Sequence, residues 1–135
     1  MRTAIVSHLA AAALVLSPVA AYGGDGIQID VLYMNHGPLA PTLEELRSVT
    51  SHYGKRVAVA WHDSETDEGR RFMAEKKLTG HIPLVIWVNG SPRQQVAGRE
   101  VNFTGFPTGS GPAPFQGKWS MADLRQVLDR LAAEK

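Results

Sequence analysis

The chain has 135 residues, 44% of them hydrophobic and 20% charged, with five histidines and no cysteine. That length holds one core, and the balance of apolar and charged residues is that of a folded chain, not a disordered one. Without a thiol the chain alone can carry no thiol redox chemistry, no thiolate-held zinc and no iron–sulfur cluster.

Residues 1–21 read as a signal peptide. Arg2 stands before the apolar run AAAALVLSPVA, and small residues follow at Val19, Ala20 and Ala21. Cleavage is expected near Ala21, with Gly23 the next candidate. Pro18 and the shortness of the run argue against a retained membrane span. The expected location is periplasmic or secreted, with residues 22–135 forming a single domain. Loss of Arg2 leaves 13 of the 14 basic residues against 13 acidic ones. No basic run remains to grip nucleic acid or an anionic membrane.

Gly26 to Met34 alternates Ile27, Ile29, Val31 and Tyr33 with Gln28, Asp30 and Leu32, which predicts a strand. Leu32 and Met34 on the second face imply burial on both sides, as in a central strand. Asp30 is then a buried acid, costly unless solvated, paired or protonated. A helix is expected from Pro41 to Gly54, with Glu44 and Glu45 in its first turn and an apolar face of Leu43, Leu46, Val49 and Tyr53. Residues 55–63 predict a second strand and 64–78 a second helix, acidic at its start and basic at its end. Residues 82–90 form a dense apolar strand closing on Asn89-Gly90, a hairpin dipeptide, so that 93–98 is expected to pair back on it. Ser120 and Asp123 suggest a capping box before a last helix with Leu124, Val127, Leu128 and Leu131 in register.

The order predicts an α/β fold with a mixed sheet of about four strands, helices on both faces and the first two strands parallel. Between the hairpin and the last helix, 99–119 is rich in Gly and Pro and holds Phe103, Phe106, Phe115 and Trp119. It is long for a connector, and its aromatics need burial or a partner.

From Ile27 onward, apart from 99–119, the chain resembles the thioredoxin-like superfamily. Thioredoxins carry Trp-Cys-Gly-Pro-Cys where the first core strand meets a helix; the same slots here read Asn35-His36-Gly37-Pro38-Leu39. Their buried Asp stands six residues before the first cysteine, as Asp30 does before His36. Their cis-proline follows Gly-Ile and opens a strand ending in Asn-Gly, and GHIPLVIWVNG supplies Pro83 and Asn89-Gly90 with His81 inserted. The resemblance implies a redox-inactive member, His36 standing for the attacking thiol and Leu39 for the resolving one, with Pro83 cis. It further implies a groove formed by Asn35, His36, Gly37, Pro38 and Leu39 on one side and His81, Ile82 and Pro83 on the other.

These residues give a first expectation of a non-enzymatic, cofactor-free module that binds a protein or an extended peptide, or serves as an accessory assembly subunit, with Phe103, Phe106, Phe115 and Trp119 as a partner loop. An alternative is a metal-binding protein using His36 with His81 or His62, although the spacing has no HxxxH-type pattern. A third is a residual enzyme with His36 as acid or base. Asp30 reads as an inherited structural carboxylate, so that Asp30→Asn would be neutral or stabilising. No G-x-S-x-G elbow is present, and Ser64, Ser91 and Ser110 lie in turn or loop contexts.

Overall fold

A computed structural model describes residues 26–134; the signal peptide read over 1–21 lies outside them. The elements run β1 (Ile27–Tyr33), α1 (Ala40–Ser51), β2 (Val57–Asp63), α2 (Asp67–Glu75), β3 (Leu84–Val88), β4 (Arg93–Val96), β5 (Arg99–Asn102) and α3 (Met121–Ala133). Strand β1 lies at the centre of a mixed sheet of order β2-β1-β3, while β4 and β5 form a separate hairpin. It pairs parallel with β2, Ile27 opposite Val57, and antiparallel with β3, Val31 opposite Ile86.

Both faces of β1 are covered, as its sequence requires. Ile27, Ile29 and Val31 pack with Leu43, Leu46 and Val49 of α1 and with Leu124, Val127 and Leu128 of α3. On the opposite face Leu32 joins Val85 and Trp87 of β3 beneath Phe72 and Met73 of α2. The starts of α2 and α3 follow from their caps. Thr66 accepts a hydrogen bond from Gly69 N at 3.1 Å and starts α2 three residues after the segment expected from sequence. The capping box of α3 is complete: Ser120 Oγ accepts from Asp123 N at 3.1 Å, and an Asp123 carboxylate oxygen accepts from Ser120 N at 3.0 Å.

The hairpin expected over 83–98 is not formed. Asn89 and Gly90 do make a tight turn at φ +48° and +85°, and Val88 and Ser91 exchange both backbone bonds. Pro92 then has no N–H to continue the ladder, and the chain departs. Its outgoing strand β4 pairs instead with β5 across a turn at Ala97-Gly98. The free edge of β3 is taken by the residues after β5: Ile86 N donates to Phe103 O at 2.9 Å and Gly105 N to Leu84 O at 2.8 Å.

The segment 99–119 is therefore no free loop. It opens with β5, and Phe103, Phe106 and Trp119 are buried in the main core. Trp119 Nε1 donates to Gly105 O at 3.0 Å, which meets the indole's one polar need inside the core. Two glycines permit the crossing of chain that this requires: a Cβ on Gly105 would stand 2.6 Å from Phe115 O, and one on Gly117 2.0 Å from Thr104 O. Gly117→Ala is expected to cost about 2 kcal/mol or more in a denaturant titration, because the Thr104 backbone and the buried Trp119 ring must both give way.

Tyr53 ties α1 to α3. Its hydroxyl donates to Asp129 Oδ1 at 2.7 Å, and its ring is buried. Burial, and after it the bond to the Asp129 carboxylate, pushes the phenol from 10.0 up to about 12. The folded state holds this proton more tightly than the unfolded chain does. Stability from Tyr53 is thus full below about pH 10 and is lost as pH climbs toward about 12. Denaturation midpoints measured from pH 8 upward should fall more steeply for the natural protein than for Tyr53→Phe.

Candidate functional site

At the carboxyl end of β1 the chain leaves the sheet through Met34, and His36 opens a 3-10 turn over Gly37–Leu39 with Pro38 at its start. His36 N donates to Met34 O at 2.8 Å and Leu39 N to His36 O at 3.0 Å, so Gly37-Pro38 shapes the passage into α1. Leu39 is buried as the turn's anchor. Opposite it, Met34 N donates to Pro83 O at 3.0 Å and pins the approach to β3 against the end of β1.

A cavity of about 90 Å³ opens between these two segments. The turn contributes His36, Pro38 and Leu39, and the opposite side His81 and Pro83. Phe106, Pro112 and Phe115 supply a third wall from the segment 103–119. The sequence-predicted groove is thus largely assembled, with three members displaced from it. Asn35 and Gly37 are exposed beside the cavity without lining it. Ile82 turns to the other side and packs on Leu32, Val85 and Trp87.

Two sequence expectations need correction here. No peptide bond among the described residues is cis, so Ile82–Pro83 is trans. The bend falls earlier, at Gly80 (φ +87°), and His81 adds a residue of reach, leaving the ordinary trans preference of an X–Pro bond unopposed. The partner loop also narrows. Phe103, Phe106 and Trp119 are 0%, 4% and 1% exposed and stand in the core, whereas Phe115, at 37%, is the exposed large hydrophobic residue among those described.

The cavity wall is apolar with two imidazoles at its rim. His36 Nε2 lies 2.9 Å from Glu65 Oε1, which ties the β1–α1 turn to the loop after β2. The His36 and His81 ring centres are 6.3 Å apart, and His81 leans on Phe115 at 5.0 Å. Among the described residues no group of three or more His, Asp or Glu side chains is arranged to hold a metal ion. His62 does not join these two imidazoles.

His62 instead sits on the α2 face of the sheet between two carboxylates. Its Nε2 is 2.9 Å from Asp30 Oδ1 and its Nδ1 2.7 Å from Glu68 Oε1. The ring stacks on Phe72 with centres 3.7 Å apart, and Phe72 meets Trp87 edge to face. Neutral imidazole offers one donor and one acceptor, so in either tautomer the ring donates to at least one of the two carboxylates. Asp30 is accordingly not the isolated buried acid that the strand pattern suggested, since its side chain is 20% exposed and paired. The arrangement was readable from register: His62 lies opposite Leu32, one diagonal step from Asp30 on the same face. Gly69 lets α2 settle onto this end of β2, for a Cβ there would meet Asp63 O at 1.7 Å.

The pairing reverses the expectation for Asp30→Asn. Removing the charge leaves a part-buried imidazole short of one carboxylate, and the substitution is expected to cost about 1–3 kcal/mol at neutral pH. A double-mutant cycle of Asp30→Asn with His62→Gln should return a coupling of about 1 kcal/mol, and a cycle that closes additively would show the pair to be idle.

No helix among the described residues is long and apolar enough to cross a membrane. Compared with known proteins, the chain matches no family model, and no curated protein is significantly similar to it.

Proposed function

We propose that this is an exported thioredoxin-like protein without thiol chemistry, whose groove holds one apolar side chain of an extended peptide or protein partner. The observation that carries the reading is the cavity between the His36-Gly37-Pro38 turn and Pro83, walled by an exposed Phe115. Its volume of about 90 Å³ is below the ~150 Å³ that takes up a benzene ring, so it suits an aliphatic side chain better than a whole small ligand. An apolar floor would supply affinity, and His36 and His81 at the rim would supply hydrogen bonds to the backbone of the bound segment.

The mixed β2-β1-β3 sheet, with α1 and α3 on one face and α2 on the other, accords with the thioredoxin-like resemblance. The trans Pro83 departs from it. Recognition in this reading therefore rests on a side-chain pocket and does not draw on a cis-proline backbone. Oxidoreductase chemistry has no thiol to use, and no catalytic step is assigned to His36. Export to the periplasm or medium follows from the leader read over 1–21.

Selection of extended peptides from a random display library on the immobilised protein tests this. Bound sequences are expected to share one aliphatic anchor, and calorimetry should give a dissociation constant in the micromolar range. Phe115→Glu should weaken binding at least about tenfold while leaving the thermal midpoint near its natural value, because the side chain is exposed. A library that yields no common anchor, or binding indifferent to Phe115→Glu, would refute the groove as the site.

A further inference from the structure

Strand β2 is the outer strand of the sheet, with β1 on one side and no strand on the other among the described residues. Outer strands of natural sheets are ordinarily short, bulged, or guarded by Lys or Pro, because an open row of amides and carbonyls invites another strand. β2 has none of these guards. It runs seven residues as Val-Ala-Val-Ala-Trp-His-Asp and pairs with β1 at every position. Ser64 N donates inward to Tyr33 O at 2.9 Å, so alternation turns the backbone groups of Val57, Val59 and Trp61 outward. The side chains of these three are only half-buried.

We propose that a second copy of this chain covers this edge, the two β2 strands pairing antiparallel about a two-fold axis at Ala60. With Ala60 opposite its own copy, Val59 faces Trp61 and Val57 faces Asp63, so outward backbone groups meet outward groups. The axis position brings the strands to a close, non-hydrogen-bonded pair, where the small side chain of alanine fits. Charge selects this alignment. Lys55 and Arg56 precede the strand, and Asp63 and Glu65 follow it. Antiparallel pairing lays Lys55 of each copy against Glu65 of the other and Arg56 beside Asp63 and Glu65; a parallel pairing would set like against like. The contact is isologous and closes at two copies, giving one continuous sheet of six strands from the two three-stranded ones. This inference does not depend on what the groove binds.

Sedimentation equilibrium of the purified full chain should show a dimer, with the Val57, Val59 and Trp61 amides protected from hydrogen exchange. Val59→Pro removes an outward N–H without touching the β1 ladder and should give a folded monomer. Lys55→Glu, on an exposed turn, should raise the dimer dissociation constant about tenfold or more, since two attractions become two repulsions. Lys55→Glu combined with Glu65→Lys should restore it. A monomer with those amides exchanging freely would overturn the proposal. So would a monomer with them protected, which would assign the cover to this chain's own residues outside 26–134. A dimer indifferent to Val59→Pro and Lys55→Glu, or a charge exchange that fails to rescue, would place the contact elsewhere.

Discussion

Burial of both faces of a single seven-residue strand is the constraint from which the rest of this structure follows. β1 alternates Ile27, Ile29 and Val31 with Asp30 and Leu32, and neither face can be left to water. Two helices cover one side and a short third helix the other, and the strand's neighbours come from opposite directions, one parallel and one antiparallel. The same constraint sets an acid on a covered face of the sheet. Asp30 lies on the thinner, α2-covered side, and His62 answers it from the adjacent strand, with Glu68 closing the ring's second nitrogen at the surface. Stacking on Phe72 gives the imidazole an aromatic floor, and Lys76 lies over the faces of the same Phe72 and Trp87. Polar cost and aromatic cover are thus solved together on one face.

The segment between β5 and α3 does on the other edge what a further strand would do. It lends Phe103–Gly105 to β3, buries Phe106 and Trp119, and returns to α3 through a crossing that only Gly105 and Gly117 permit. A cavity forms because this segment stops short of the β1–α1 turn. Its apolar wall is a by-product of core packing on one side, Leu39 and Phe106, and of exposed display on the other, Phe115. Fold and site therefore share residues, and the groove cannot be separated from the packing that stabilises the sheet.

Elements with strong periodicity were legible in the sequence: β1, β2, α1 and α3 lie where alternation and apolar residues three and four apart put them. The β3–β4 hairpin was not, because Asn89-Gly90 is a local signal that specifies a turn and nothing beyond it. Pro92, two residues later, cancels the ladder, and the strand that replaces it comes from a segment with no strand-like pattern. The groove was legible in its two short motifs, His36-Gly37-Pro38-Leu39 and His81-Ile82-Pro83, but not in its third wall. Which aromatics of 99–119 turn inward depends on a chain crossing that composition does not encode. The Asp30–His62–Glu68 arrangement needs the register of two parallel strands, a non-local quantity that spacing along the chain does not contain.

Phe115 is exposed, yet its backbone is tied down on both sides: Phe106 N donates to Phe115 O at 2.9 Å, Gly117 N to Phe106 O at 2.7 Å, and Phe115 N to Pro112 O at 2.9 Å. Prolines at 112 and 114 stiffen the same turn. A wall held in this way is in place before any ligand arrives. Encounter would then be governed by diffusion and orientation, with no slow rearrangement of the loop, and differences among ligands would be expressed in how long they stay and not in how fast they arrive.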